Sequence, residues 1–360
     1  MRRLRVKSST GDYDVIVGRG AWRTLRRLEG HTSTFVLTEP ALWERWGSKL
    51  ARDAGWRLVR PLLVPAGEGS KSLIMAGRVA SELSERGADR RSLLVAFGGG
   101  VVGDLGGFVA STYMRGIDYV QVPTTVLAQV DSAIGGKTAV NVRAMKNLVG
   151  TFYPPSRVVS EPAVLASLSA RSLQSGLYEV VKHAILSGPA FFQYLGTELA
   201  ALRPSQTGRL EAIVTRAAQV KVDVVSRDEH ESGLRRVLNL GHTYGHALEE
   251  VTGYRRFLHG EAVGWGMLLV TRLAELVGLL DPAEGERIAG LVWQAGPLPP
   301  IHNLSAEKVL GLLPRDKKAV GGKIHWVLPE RIGKVRVTPD VPDTAVASAF
   351  SDVQRGAWHE

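Results

Sequence analysis

The segment from Ser92 to Ser111, SLLVAFGGGVVGDLGGFVAS, constrains the fold more than any other stretch of the chain. A short apolar run ends in Gly98, Gly99 and Gly100 and gives way to helical spacing. Glycines at such a strand-to-helix turn let backbone amides approach a phosphate, and the helix amino terminus adds partial positive charge. The spacing is not G-x-G-x-x-G, so as a bare motif it is only moderately specific, and a tight turn without a ligand fits it too. Other β-rich runs, DYDVIV, STFVLTE, GWRLVRPLLVP, YVQVPTT and RVVSEP, alternate with helical patterns, as in an α/β domain with a largely parallel sheet. From about Leu165 the strand signals fade and apolar spacings of three and four take over. With 360 residues, 44% of them hydrophobic, the chain can build two cores. The expected division is an α/β unit over 1–165 and a mainly α-helical unit over 166–360.

Composition removes several chemistries. There is no cysteine, so disulfides, thiolate catalysis and Cys-ligated zinc or iron–sulfur sites are excluded, and any metal is expected on His, Asp or Glu. The formal net charge of +10 invites a nucleic-acid reading, but the basic residues are spread along the whole chain. An anionic small molecule is the better expectation, with no nucleic-acid partner. The basic amino terminus lacks a following apolar core, and the most apolar segment, AVGWGMLLVTRLAELVGLL, is broken by Arg272 and Glu275. A soluble cytoplasmic protein without a membrane span is therefore expected.

Candidate site residues cluster in a few stretches. PAGEGSKS offers Glu68 and Lys71 in a loop where ribose or phosphate contacts are plausible, although solvated charges fit as well. Asp131, Lys137, Lys146 and Asn147 share one glycine-containing stretch, and two lysines with an amide suit phosphate or carboxylate oxygens. Between Arg209 and Ser226, an apolar helical stripe of Leu210, Ile213, Val214, Ala217 and Val224 also carries Lys221. Its ammonium either reaches water at the rim or points into a polar site. Glu179 and Lys182 lie three apart on one helical face, where an exposed ion pair is the ordinary expectation. His242 and His246 lie four apart on another helix, and His259 stands at a helix start. Glu179, His242 and His259 form a reasonable ligand set for an ion such as zinc, with His246, His183 or Glu261 as possible substitutes. Thr243 follows His242, so the H-E-x-x-H signature of a metalloprotease is missing.

Taken in order, GGGVVGD, QVPTTVLAQVDSAIGGKTAVN, EVVK, LNLGHTYGHALE, LHGEAVGWGM and RDKK resemble the 3-dehydroquinate synthase family. The resemblance implies a Rossmann-like NAD-binding domain followed by a helical metal- and substrate-binding domain. It also implies a homodimeric cyclase that uses NAD and zinc or cobalt to convert 3-deoxy-D-arabino-heptulosonate 7-phosphate into 3-dehydroquinate and phosphate. Glu179, His242 and His259 would hold the metal. Lys137, Asn147, Asn239, His246 and one of Lys317 and Lys318 would surround the substrate phosphate, with Arg115 reaching it from a neighbouring subunit. Arg235 and Lys146 would take the carboxylate, and Asp131, Lys182 and Lys221 the hydroxyls. Glu68, Lys71, Gly99, Gly100, Val101, Asp104, Thr124 and Thr125 would serve NAD, with Lys137 and Lys146 near both ligands. Tyr178, His183 and Met145 depart from the family pattern without removing a proposed group. Another sugar-phosphate cyclase, a polyol dehydrogenase of the same fold and a basic non-catalytic binding protein are the competing readings.

Overall fold

The computed structural model describes residues 1–28, 30–57, 59–143, 145–202, 206–313 and 324–356. The chain gathers into two compact units, Met1–Leu168 with Pro204–His230, and Ser169–Arg203 with Glu231–Glu360. The division expected at 165/166 therefore needs one correction. The segment 204–230 rejoins the first unit, because its apolar stripe finds its cover there.

The first unit is built on a seven-stranded sheet. Its strands are β1 (Arg2–Val6), β2 (Tyr13–Val17), β3 (Thr34–Thr38), β4 (Leu62–Leu63), β5 (Leu93–Gly98), β6 (Asp118–Pro123) and β9 (Arg157–Ser160). They run in the order β1-β2-β9-β6-β5-β3-β4. Only the β1–β2 pair is antiparallel. Helices α1 (Pro40–Ala54), α2 (Leu73–Glu85) and α3 (Gly100–Thr112) supply crossovers. All six residues of β5 are buried, as a central parallel strand covered on both faces requires. Leu37, Leu62, Leu94, Ala96, Leu105 and Val109 form the middle of that core. Beyond the main sheet, β7 (Lys137–Val142) and β8 (Met145–Phe152) make an antiparallel hairpin. Helix α6 (Thr207–Val225) packs on β1 and on the turns Ala128–Ser132 and Pro162–Ser167. Its buried stripe contains Leu210, Ile213, Val214, Ala217, Ala218, Val222 and Val225, whereas Val224 is only half-buried.

The second unit holds α4 (Ala170–Ser187), α5 (Pro189–Ala201), α7 (His242–Val251), α8 (His259–Leu276), α9 (Pro282–Gln294), α10 (Ala306–Leu312) and α11 (Asp343–Gln354). It also contains a hairpin, β10 (Trp326–Arg331) with β11 (Lys334–Thr338), which the sequence reading did not anticipate. Helix α8 is the axis, with α4, α7, α9 and α11 all packed against it. It is apolar on nearly every side, as a helix enclosed by neighbours must be. Among the described residues, no helix is long and apolar enough to cross a membrane.

Candidate active site

Two glycine contacts bring the second unit's histidines to Glu179. A Cβ on Gly260 would lie 1.7 Å from the Ser175 carbonyl oxygen, so only glycine lets the start of α8 touch α4 one turn before Glu179. A Cβ on Gly266 would lie 1.8 Å from the carbonyl oxygen of Gly241, the residue that precedes α7 with φ +78°. His259 opens α8 and His242 opens α7, so each contact fixes one imidazole. The Glu261 carboxylate accepts the Leu258 amide at 2.7 Å and closes the amino terminus of α8, and Arg171 clamps the same carboxylate at 2.6 and 2.8 Å. Glu261 is thereby committed to the helix end.

Glu179 is fully buried. Its Oε1 lies 3.7 Å from His242 Nε2 and 3.5 Å from His259 Nε2, while Oε2 pairs with Lys182. The expected surface ion pair of Glu179 with Lys182 is thus a buried one. His242 Nδ1 stands 3.1 Å from the Leu240 carbonyl oxygen, and His259 Nδ1 stands 3.0 Å from Glu249 Oε2. Each Nδ1 faces an acceptor, so in the neutral ring the proton sits on Nδ1, and Nε2, on the side of Glu179, is the atom left to bind an ion. One carboxylate oxygen and two imidazole nitrogens all within 4.8 Å of one another suit a divalent ion. His246 is one turn along α7, its ring centroid 5.6 Å from that of His242. His246, Glu249 and His259 form a second close group, but Glu249 is engaged there with the far nitrogen of His259.

Other residues of this unit fall into place. Asn239 donates to Glu231 Oε1 at 2.7 Å, and Glu231 adopts φ +60°, a conformation uncommon outside glycine. Arg235 is buried in the turn before α7. Tyr178 and His183 are fully buried on α4. The Tyr178 hydroxyl donates to the Gly296 carbonyl at 2.6 Å, and its ring lies against Gly264, where a Cβ would come within 2.8 Å. Lys317 and Lys318 lie outside the described residues.

In the first unit the glycine run sits at the carboxyl end of β5, with α3 beginning at Gly100 and Val101 in its first turn. The chain leaves β3 toward β4 on one side and continues through β5 and β6 on the other, which makes the crevice beside β5 a topological switch point. No side chain caps α3 and no acidic residue occupies its first turn, so its amides suit a pyrophosphate. Thr124 and Thr125 follow β6, and a Cβ on Gly99 would lie 3.2 Å from Thr125 Cγ2. Burial pushes the Asp104 carboxyl pKa up, against the pull of Lys71, which bonds both Asp104 and Asn147. Lys221 pairs with Asp131, which lies in a single π-helical turn, so its head points into a polar site. Lys137 opens β7; Lys146 and Asn147 lie near the start of β8, close behind Met145. Arg115 is exposed in the turn after α3, with φ +71° following Met114 at +49°.

Sequence reasoning passed over Asn141, Glu231 and Glu249. A signal existed for Glu249, because positions 242, 246 and 249 fall on one face of α7. For Asn141 and Glu231 only the folded backbone reveals the contacts.

A switch-point sheet fitted to a dinucleotide and a helical unit that aims two imidazoles at a buried glutamate define a class of NAD- and metal-using enzymes. Residues 61–175 match the model described as 3-dehydroquinate synthase N-terminal, and residues 176–319 match 3-dehydroquinate synthase C-terminal. The chain belongs to the 3-dehydroquinate synthase family. A 3-dehydroquinate synthase of Koribacter versatilis (strain Ellin345) is 43% identical over 98% of this chain and 98% of its own. A solved 2-epi-5-epi-valiolone synthase from Streptomyces hygroscopicus subsp. jinggangensis 5008, with NAD+ and Zn2+ bound, superposes with a TM-score of 0.87 at 29% identity, covering 99% of this chain and 100% of that one. A 2-deoxy-scyllo-inosose synthase complexed with carbaglucose-6-phosphate, NAD+ and Co2+ shares the fold, with a TM-score of 0.86 at 23% identity over 98% and 99% of the two chains.

Proposed function

We infer that the protein catalyses the 3-dehydroquinate synthase reaction, converting 3-deoxy-D-arabino-heptulosonate 7-phosphate into 3-dehydroquinate and inorganic phosphate, as a phosphorus–oxygen lyase. The observation that carries this reading is the convergence of His242 and His259 Nε2 on Glu179 in a chain of this family. These three residues would hold a zinc or cobalt ion, which would supply Lewis-acid polarisation of substrate hydroxyls. Gly99, Gly100, Val101, Asp104, Thr124, Thr125, Glu68 and Lys71 would hold NAD, which would supply reversible hydride transfer.

The remaining work falls to the chain's own side chains. Lys137, Asn147, Asn239 and His246 bind and orient the phosphate, so that its own oxygens take the proton whose removal expels it. Arg235 and Lys146 hold the carboxylate, and the Asp131–Lys221 pair and Lys182 hold hydroxyls. Ring opening and the intramolecular aldol closure then need orientation more than acid–base catalysis. Arg115 completes the phosphate site of a partner subunit in a homodimer. Its exposure supports this role, as do two consecutive non-glycine residues at positive φ, because such backbone is kept where a function repays it.

Metal-stripped protein given this substrate and catalytic NAD should release phosphate and form 3-dehydroquinate only when zinc or cobalt is restored, with no net NADH. Well-folded, metal-loaded protein that makes neither product would refute the assignment. For the trans role, mixing Arg115→Ala with Glu179→Ala protein should recover activity, whereas no recovery after proven subunit exchange would count against it.

A further inference from the structure

The β7–β8 hairpin is irregular at one place. Val140 faces Val149 and Val142 faces Met145, so Lys146, Asn147 and Leu148 together oppose the single residue Asn141. Such a bulge leaves extra residues unpaired and re-aims their side chains, which is why bulges collect beside active sites. This one carries Lys146 and Asn147, with Asn147 at φ +52°.

Asn141 makes three hydrogen bonds at that point. Its backbone amide leaves the hairpin and donates to the Lys71 carbonyl at 2.8 Å. The side-chain Oδ1 accepts the Asn147 amide at 2.8 Å, and Nδ2 donates to Glu68 Oε1 at 2.8 Å. Lys71 closes the ring by bonding the Asn147 side chain and Asp104. One carboxamide therefore ties together a bulge bearing two cationic or amide groups and a loop bearing the Glu68 carboxylate. No other side-chain type of this size offers a donor and an acceptor in that arrangement.

We propose that Asn141 is a positioning residue that shapes the bulge carrying Lys146 and Asn147 and locks it to Glu68, so that one amide sets both the cofactor contact and the anion contact of the first unit. The proposal rests on the functional reading above for the identity of the two ligands. Its two halves are separable. Asn141→Asp keeps the acceptor for the Asn147 amide but sets a carboxylate against Glu68, whereas Asn141→Ala removes both bonds.

The test measures dissociation constants of NAD and of inorganic phosphate by calorimetry on zinc-loaded, full-length protein. Asn141→Ala should weaken both by about ten-fold, the scale of one hydrogen bond to a charged or strained partner. Asn141→Asp should weaken NAD by a similar factor and leave phosphate within about two-fold. This split is one that general loosening of the fold would not produce. Equal losses of both ligands in the two variants would reduce Asn141 to a structural residue and overturn the proposal. Unchanged constants in Asn141→Ala would overturn it as well, while wild-type protein that binds neither ligand would sink the functional reading and this inference together.

Discussion

At His259, burial works to lower the imidazole pKa, but the charges and hydrogen bonds of Glu249 and Glu179 prevail and raise it to about 10. The metal-free protein is therefore expected to carry an imidazolium there at neutral pH. Because the folded pKa exceeds the ordinary 6.5, this group's contribution to metal-free stability is complete below pH 6.5 and is lost as the pH climbs toward 10. Zinc requires the neutral ring, so zinc affinity should rise across the same window by up to about ten-fold per pH unit. Competitive chelator titrations at several pH values would show it. Glu249→Gln removes the larger of the two opposing charges and should flatten that slope; identical slopes in both proteins would refute the account. His246→Ala should keep zinc through dialysis while His242→Ala loses it, since His242 and His259 each place Nε2 within 3.7 Å of Glu179 Oε1. Retention by both variants would favour the alternative group with Glu249. His242 and His246 were legible as a helical pair, but the orientation of each ring was not, since it depends on Leu240 and Glu249 placed by the fold.

Helix α8 shows how packing overrides propensity at the level of an element. Alanine is favoured over glycine by about 1 kcal/mol inside a helix. At Gly266, however, a Cβ would sit 1.8 Å from the Gly241 carbonyl oxygen, and the helices must part. Gly266→Ala should destabilise by about 3 kcal/mol or more in urea unfolding, and a gain in stability would contradict this packing. Helix α6 carries a second test. Lys221→Met removes the cation paired with the half-buried Asp131 carboxylate, a loss of about 3 kcal/mol, and unfolding at an unchanged midpoint would show that water or another group replaces the ammonium. The strand-to-helix turn at Gly98–Gly100 and the stripe of α6 were readable because their apolar periods are long and unbroken. The β10–β11 hairpin was not, since its first strand is interrupted by Pro329 and its second strand is short and without a buried residue. The bulge on β8 left no period at all.

For the whole molecule, two ligands should protect two different sets of amides. NAD at about 100 times its Kd adds about 2.7 kcal/mol to the unit it occupies. Hydrogen exchange should then slow first at the β5–α3 turn with NAD, and at the starts of α7 and α8 with zinc. Protection of the same amides by both ligands would contradict the separate assignments. Family membership was legible over most of the chain because the glycine, lysine and histidine motifs are local. The partition of the chain was not, since nothing in the composition of segment 204–230 announces which core its stripe will join.

That partition has a consequence for how the protein is made. The chain completes its first core only with a segment ending at His230, 62 residues after Leu168, and Ser169–Arg203 in between belong to the other unit. At translation rates of about 5–20 residues per second, the sheet waits roughly 3–12 s on the ribosome with the ground for α6 uncovered. During that interval the nascent chain exposes the apolar seat that α6 later fills, and the vectorial order of synthesis sets when a chaperone has something to hold.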